Sequence, residues 1–538
     1  MNPVFGIHVG NTSVCLAICK VKFHVDIVAG TDGERVMPAI VTVTEKEMVV
    51  GSVCKSLIAS SWKTTVMCNK MMVNSNEPYA VGDRKHNVTI VFKKNELHYC
   101  LPLKKKTELL TPKDIYTCIY KSLYEALVGT ERLEENPTLP LTPLRSILQP
   151  FSRASSRQHK ARRHEIDNLS PRTREGSVPI AKNTVPGVKG KLSCVLMFPK
   201  HFSEAAKLKM KIAAKAAYWN VLQIIHEPSA VILGYNLLSG KKPLPSQIVL
   251  VYRAGGQTCD ASVIDLAYGL ITLLDTEHSK AVGGRVLIST LTKYLANDFY
   301  RIYGIDPQKN HRSMTKLTLA AEEFLRLLSS EENATFFLES LCEGVDFCHV
   351  MSRARLESLL HPFLPTFAEP LHTVLTRLKM TPDSVSTLLL CGGLLKIPRL
   401  RKFISDIFKE SCVNIVYLPK GVNYDEIMAC GAARQGGYNV LFKRQNHGVA
   451  GSSNKVVHSS LPSEVPIPIL SSSLTIWVEG AVSESIELMS GHPLPFQRTL
   501  VLTSCDELVT ITAIQMECDQ IMLRGQGMVC KTSKGNPK

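Results

Sequence analysis

Two short segments of this chain share one pattern: an apolar strand, a glycine turn and a second apolar strand. The first is VFGIHVGNTSVCLAICK, which starts at Val4, and the second is IVLVYRAGGQTCDASVIDL, which starts at Ile248. Each hairpin is followed by residues with helical periodicity. A chain that repeats such a unit can build two similar halves. If the halves face each other, they enclose a deep cleft with one glycine turn on each side.

The first glycine turn has the residues of a phosphate-binding loop. Gly10 allows close backbone approach. The amides that follow, of Asn11, Thr12 and Ser13, can cradle terminal phosphates. An ordinary β-turn explains the same residues when this turn is taken alone. The preceding strand presents His8, and neutral imidazole is a poor ligand for Mg²⁺, which prefers oxygen ligands in near-octahedral geometry.

The second glycine turn is similar, but a cation precedes it. Gly255, Gly256 and Thr258 keep the character of a phosphate loop. Arg253 stands at the end of the strand before them. An arginine cannot act as a base at neutral pH, although it can neutralise phosphate charge directly. We therefore expect this turn to be able to hold phosphate.

Composition limits the class of protein. A chain of 538 residues predicts two to four domains, and 45% hydrophobic residues allow a large core. No stretch reaches the roughly 18 apolar residues of a membrane span, and no secretory signal is visible. The sixteen cysteines are scattered without a CxxC pair. Such usage is typical of reduced thiols in the cytosol rather than of disulfides or zinc sites.

The net charge of +16 is unevenly distributed. Between Arg145 and Gly190 there are ten Lys and Arg against three Asp and Glu, an excess of 7. The surrounding segment 136–190 is rich in Pro, Ser and Arg and has no sustained apolar period, which predicts a disordered insertion. The excess favours polyanions such as RNA or ribosomes, but we favour a solvated basic loop. Neither DNA nor a membrane is an expected partner.

The rest of the chain alternates strands and helices. Strands are expected through residues 3–53 and at LSCVLMFP, and helices at TPKDIYTCIYKSLYEALVG and from Ser203 to about Trp219. A helical region is expected from about Gly283 to Met380, before the buried strand VSTLLLCGG and the amphipathic helix IPRLRKFISDIF. About four short strands close the chain, at LTIWVEG, SESIELM, RTLVLTS and LVTITAI.

Six ordered segments resemble the nucleotide-binding domain of the seventy-kilodalton heat-shock chaperones: GIHVGNTS, IIHEPSAVILGY, YRAGGQTCDAS, LESLCEGVDFCHVMSRARLE, LLCGGLLKIPRL and NYDEIMACGAA. Each segment is weak alone, but six in the family's order are specific. The similarity covers about 3–135 and 191–440. It implies an α/β protein with the actin-like ATPase fold of two paired, ribonuclease-H-like lobes, plus a short C-terminal β-rich domain.

The resemblance also divides the chain into parts. A nucleotide-binding domain is expected at 1–440, a linker at 441–468, and a truncated substrate-binding-like domain without the family's helical lid at 469–538. The insertion at 136–190 matches nothing in the family. A lineage-specific loop and a translated intron both explain it, and we favour the intron.

Further residues gain a role from the resemblance alone. Lys70 falls where the family has its catalytic lysine, and a surface lysine is an equal alternative there. Glu227 falls where the family has a glutamate near the metal and the attacking water. The positions implied to bind ATP are Gly10, Asn11, Thr12, Ser13, Gly255, Gly256, Thr258, Gly283, Gly284, Glu322, Arg326, Ser329, Gly392, Gly393, Lys396 and Asp425.

Several positions depart from the family pattern. His8 and Arg253 stand where the family has aspartates, and Lys396 replaces an arginine. These departures resemble an atypical, ribosome-associated branch of the family. They imply a cytosolic component that binds ATP without tightly bound Mg²⁺, hydrolyses it weakly or not at all, and uses no side chain as a metal ligand. The implied partners are a J-domain co-chaperone, the ribosome and nascent chains.

Two other functions stay open. An active, ATP-cycling chaperone needs magnesium chemistry and a client clamp, and the sequence supports neither well. An RNA- or ribosome-binding protein acting through the basic insertion lacks the aromatic residues that usually interleave such a surface.

Overall fold

The computed structural model describes most of the two halves expected from the sequence, together with a C-terminal sheet. The predicted insertion at 136–190 lies outside the described residues, as do residues 449–468 of the predicted linker. The described residues are 3–20, 23–30, 32–74, 88–93, 96–104, 106–128, 191–237, 247–267, 270–448, 473–479, 484–488, 508–517 and 520–530.

The first lobe contains a mixed sheet with helices packed against it. Its elements are β1 (Val4–Val9), β2 (Ser13–Cys19), β3 (Val25–Val28), β4 (Val36–Pro38), β5 (Val41–Val43), β6 (Met48–Val50), α1 (Val53–Ser61), β7 (Thr65–Val66), α2 (Asn69–Val73), β8 (Thr89–Lys93), β9 (Glu96–Pro102), β10 (Thr107–Leu110), α3 (Pro112–Val128), β11 (Leu192–Phe198), α4 (Glu204–Ala216), β12 (Trp219–His226) and α5 (Glu227–Gly234). The main sheet has the order β12-β11-β1-β2-β3, with β4 also paired to β2. Every residue of β1 is buried, as expected for a strand covered on both faces.

The second lobe repeats this plan. Its elements are β13 (Gln247–Ala254), β14 (Cys259–Ala267), β15 (Leu270–Ser279), α6 (Gly284–Tyr303), α7 (His311–Leu327), β16 (Asn333–Cys342), β17 (Val345–Ser352), α8 (Arg353–Leu360), α9 (Leu364–Arg377), β18 (Thr387–Cys391), α10 (Pro398–Asp406), β19 (Asn414–Ile415) and α11 (Ile427–Gly448). Its main sheet has the order β15-β14-β13-β18-β19.

The two main sheets share one topology. In each, the first strand forms an antiparallel hairpin with the second, and pairs on its other side with a parallel strand from much later in the chain. Each hairpin turn is one of the two glycine turns singled out above. The predicted hairpins and the duplicated α/β architecture are therefore confirmed.

Helices α5 and α11 lie between the two sheets and bring the lobes together. A Cβ added at Gly431 of α11 would lie 1.7 Å from the carbonyl oxygen of Ala230 in α5. On the other side, a Cβ at Gly6 of β1 would lie 2.2 Å from the carbonyl oxygen of Ala429. Only glycine allows backbones to approach this closely. Glycine at these points thus sets the spacing of the elements beneath the cleft.

The expected helical region from Gly283 to Met380 is partly wrong. Helices α6, α7, α8 and α9 are present, but the hairpin β16–β17 interrupts them. Its outer part alternates exposed and less exposed side chains, a strand period, and Glu343 and Gly344 at its turn both have positive φ. Helix α4 is also shorter than expected, since it ends at Ala216 and Trp219 begins β12.

The C-terminal residues form one antiparallel sheet. Its strands are β20 (Ser473–Glu479), β21 (Glu484–Leu488), β22 (Leu508–Glu517) and β23 (Gln520–Cys530), in the order β21-β20-β22-β23. Three of the expected strands correspond to β20, β21 and β22. The expected strand RTLVLTS lies outside the described residues, and β23 was not expected. In the described part of the chain, no helix is both long and apolar enough to cross a membrane.

Candidate functional site

The two glycine turns meet at a deep cleft between the lobes. The cleft has a volume of about 790 Å³. A Cβ added at Gly256 would lie 2.3 Å from Oγ1 of Thr12, so the second turn touches the first. One turn belongs to the β1–β2 hairpin and the other to β13–β14. The cleft thus has the two-sided arrangement that the repeated hairpins predict.

Most of the residues singled out from the sequence line this cleft. Lys70, Glu227, Thr258 and Gly283 do not line it, and all four are buried. The lining residues from the predicted set are His8, Gly10, Asn11, Thr12, Ser13, Arg253, Gly255, Gly256, Gly284, Glu322, Arg326, Ser329, Gly392, Gly393, Lys396 and Asp425.

The first turn is fixed by short backbone and side-chain hydrogen bonds. The amide of Gly10 donates to the carbonyl of Ser13 at 2.7 Å, which closes the turn. The side chain of Asn11 accepts from the amide of Met71 at 3.1 Å. That bond ties the turn to α2, the helix that carries Lys70. The first glycine turn and α2 therefore form one structural unit.

The second turn is held against the start of helix α6. The amide of Gly255 donates to the carbonyl of Thr258 at 2.9 Å. The amides of Gly284 and Arg285 donate back to Gly255 and Gly256, at 3.1 and 2.8 Å. A helix start favours anions. This one lies directly behind a glycine turn, although two of its first amides already have acceptors.

A chain of buried ion pairs lies at the base of the cleft. Lys70 of α2 donates to Glu227 at the start of α5. Arg253 lies 3.6 Å from the other oxygen of Glu227 and also pairs with Asp260. Asp260 in turn contacts His278 of β15. The contact between Glu227 of the first lobe and Arg253 of the second makes this chain of ion pairs a link between the two lobes.

The ion pairs balance two cations against two carboxylates. The side chains of Lys70, Glu227, Arg253 and Asp260 are only 4, 5, 13 and 11% exposed. Burial alone would raise the pKa of Glu227, but Lys70 and Arg253 outweigh it and hold that pKa well below its usual range. Glu227 is therefore a carboxylate at neutral pH and neutralises the cations beside it.

The structure changes the roles expected for the two cations. Arg253, which the sequence assigned to phosphate, has its guanidinium engaged by Glu227, Asp260 and the hydroxyl of Thr258 at 2.8 Å. Lys70 is neither a surface lysine nor free, because it is buried against Glu227. Both cations are thus already paired inside the protein: Lys70 with Glu227, and Arg253 with Glu227 and Asp260.

His8 is buried on the side of the cleft that the first lobe forms. Its Nε2 lies 3.7 Å from Glu227, and neither ring nitrogen has a hydrogen-bond partner among the described residues. Burial, with the charges of Lys70 and Arg253, lowers the pKa of His8 despite Glu227. The imidazole is therefore neutral and has an N–H to donate into the cleft.

A second group of residues lies on the opposite part of the lining. Lys396 donates to Asp425 at 2.8 Å, and the other oxygen of Asp425 is buried without a partner among the described residues. Lys55 of α1 donates to Glu322 of α7 at 2.9 Å, which links the two lobes above the cleft. Arg326 is engaged by Glu323. Lys396, one of the positions implied to bind ATP, is thus held by an ion pair.

Three participants were missed from the sequence. Lys55 pairs with the predicted Glu322, His278 contacts Asp260 of the ion-pair chain, and Cys68 lines the cleft, but none of the three lies in a segment with a recognisable pattern. Lys55 contacts Glu322, and His278 contacts Asp260; in both pairs the two residues are more than 15 positions apart in the chain. Only the tertiary fold brings such pairs together.

The residues present fit a nucleotide better than a metal ion. Glycine turns provide backbone amides and close approach on both sides. His8 and Asp425 offer buried polar atoms without partners among the described residues, the sign of a ligand that is itself polar. The carboxylates Glu227 and Asp260, by contrast, already have cations.

The duplicated sheets and the cleft between them define the class: a nucleotide-binding protein with the actin-like ATPase fold. A family model described as Hsp70 protein matches residues 4–133 and 182–446. Heat shock 70 kDa protein 14 of Pongo abelii and that of Homo sapiens are each 29% identical over 523 residues, which span 96% of this chain and 87% of theirs. The protein of the same name from Mus musculus is 30% identical over 435 residues, 80% of this chain and 73% of its own.

This chain belongs to the Hsp70 family of chaperones. The resemblance drawn from the six segments is thereby confirmed. Members of this family bind ATP and usually work with J-domain co-chaperones.

Proposed function

We propose that this chain is an Hsp70-family component that binds ATP in the interlobe cleft and hydrolyses it very slowly or not at all. The observation that carries the proposal is the ion-pair chain at the base of the cleft. Lys70 and Arg253 neutralise Glu227 and Asp260 inside the protein. No carboxylate of this group is left to order a magnesium ion's waters or an attacking water.

The positive charges of Lys70 and Arg253 also disfavour a tightly bound magnesium ion. Magnesium needs oxygen ligands or waters held by carboxylates. Here His8 and Arg253 occupy the two hairpin positions at which the family has aspartates. The guanidinium of Arg253 lies between the carboxylates of Glu227 and Asp260. A divalent cation placed there would meet Arg253 at close range. The site residues therefore fit ATP held through its phosphates and backbone amides, with His8 as one further donor.

We further infer the cellular role from the family and its relatives. A chaperone that binds ATP without turnover acts as a stable platform, which suits a lasting pair with a J-domain co-chaperone. The departures at His8 and Arg253, which resemble a ribosome-associated branch of the family, support a role at the ribosome, where the protein would act on nascent chains in the cytosol. We also propose the domain boundaries expected from the resemblance: a nucleotide-binding domain that ends at 440 and a truncated substrate-binding-like domain that begins at 469.

Titrating ATP by calorimetry in magnesium and in EDTA tests the proposal. We expect the two dissociation constants to agree within about threefold, because phosphate is held by protein groups alone. A family member with aspartate in both hairpins, measured in parallel, should lose affinity in EDTA. If ATP binding to this chain weakens more than about tenfold in EDTA, the metal-free site is wrong.

A further inference from the structure

Helix α4 presents an apolar stripe to solvent, away from the cleft. Leu208 and Ile212 are each 47% exposed and lie one turn apart. Ala205 and Ala216 extend the same face by a turn in each direction, and both are exposed. Spacings of three and four residues place all four side chains in one line. A continuous stripe of this length differs from the single apolar residues that ordinary surfaces carry.

The opposite face of α4 explains why the helix is fixed in this orientation. Ala206, Met210, Ala213 and Ala214 are buried in the core of the first lobe. Ser203 caps the helix by accepting from the amide of Ala206 at 3.2 Å. The stripe is therefore displayed on a rigid element.

Lysines border the stripe on both sides. Lys215, which is exposed, and Lys211, which is only 9% exposed, lie along one edge, one turn apart, and the half-buried Lys209 lies along the other. Lys209 pairs with Glu96 at 3.3 Å, and Lys207 pairs with Glu204 at 2.7 Å.

Lys211 and Lys215 differ from the other two lysines. In the described part of the chain, neither has a carboxylate within 4.0 Å. Burial and the charge of Lys215 lower the pKa of Lys211. Two like charges at this spacing repel each other, and a carboxylate from outside would relieve that repulsion.

We propose that this face of α4 docks a partner protein through an acidic amphipathic helix. The partner's apolar residues would cover Leu208 and Ile212, while its carboxylates would lie against the exposed Lys215, with the charge of the largely buried Lys211 one turn away. The charge complementarity selects an acidic partner, and the straight, three-turn stripe matches a helix laid alongside. This surface is separate from the nucleotide cleft and does not depend on it.

Fluorescence anisotropy with a designed probe tests the surface. The probe is a labelled helical peptide of about 18 residues, with leucine at helical spacing and glutamate elsewhere. A second peptide has lysine in place of every glutamate. Full-length protein should bind the acidic peptide in a saturable, salt-sensitive way and bind the basic one at least about tenfold more weakly.

Two variants and a matched control locate the binding. Leu208→Gln with Ile212→Gln, and separately Lys211→Gln with Lys215→Gln, should each weaken acidic-peptide binding about tenfold. The control replaces Phe337 and Val350 with Gln; these are 57 and 63% exposed on the β16–β17 hairpin. It should bind like the unmodified protein. Thermal melting checks that each variant is folded.

Several results would overturn the docking proposal. One is equal binding of the acidic and basic peptides, and another is unchanged binding by the Leu208 and Ile212 variant. Sedimentation that shows stripe-dependent dimers would make a second copy the occupant. Stripe-dependent pelleting with phosphatidylserine vesicles, without acidic-peptide binding, would make it a membrane surface. Because ATP titrations do not involve α4, failure here leaves the proposed function standing.

Discussion

Replacing Arg253 with alanine should lower the free energy of unfolding by about 3–5 kcal/mol, because it leaves two buried carboxylates with one cation. Glu227 and Asp260 are only 5 and 11% exposed, so water compensates poorly for the lost guanidinium. Lys70 contacts only Glu227 of the pair. In the variant, His278 would be the one side chain of the ion-pair chain that still contacts Asp260. Urea denaturation without nucleotide measures the loss.

An exposed arginine with two acidic partners provides the matched control. Arg377 pairs with Asp275 and with Glu277 at 2.7 Å, and its side chain is 46% exposed. Arg377→Ala should cost no more than about 1 kcal/mol, since water and salt screen that pair. Equal losses for the two variants would show that the buried ion pairs do not stabilise the base of the cleft.

Placing aspartate at both hairpin positions should create ATPase activity. His8→Asp with Arg253→Asp removes the internal cation and supplies the two carboxylates that magnesium chemistry needs. General-base and metal catalysis each contribute about 10² or more, so we expect at least about a 10²-fold gain in the single-turnover rate. The variant should also depend on magnesium for stability, because it gathers four carboxylates around Lys70.

The control for that gain is His8→Asn with Arg253→Asn. Asparagine has the shape of aspartate but no charge, so it removes the same two side chains without supplying a base or a metal ligand. It should stay as slow as the unmodified protein. If the aspartate and asparagine variants hydrolyse ATP at the same rate, the missing carboxylates are not what limits this site.

Local patterns in the sequence predict the frame of the site well. Glycine turns between apolar strands are short-range features, and both hairpins lie where the pattern places them. Gly10 and Gly256 then meet in one cleft because the lobes repeat one topology. The β16–β17 hairpin was missed because its strand alternation lies between long helices.

The electrostatics of the site could not be predicted in the same way. The resemblance to the family implies that Arg253 replaces an acid, but its partners Glu227 and Asp260 approach it from different elements. Whether an arginine faces phosphate or a carboxylate depends on these tertiary contacts. The buried pair of Lys70 with Glu227 likewise joins residues 157 positions apart.

The most direct measurement is a single-turnover assay with radiolabelled ATP and excess full-length protein, with and without a purified J-domain co-chaperone. The ion-pair chain predicts that bound ATP is hydrolysed at least about 10²-fold more slowly than by a family member with both hairpin aspartates. The J-domain protein should not remove the difference. Hydrolysis within about tenfold of that family member, alone or with the co-chaperone, would contradict the account.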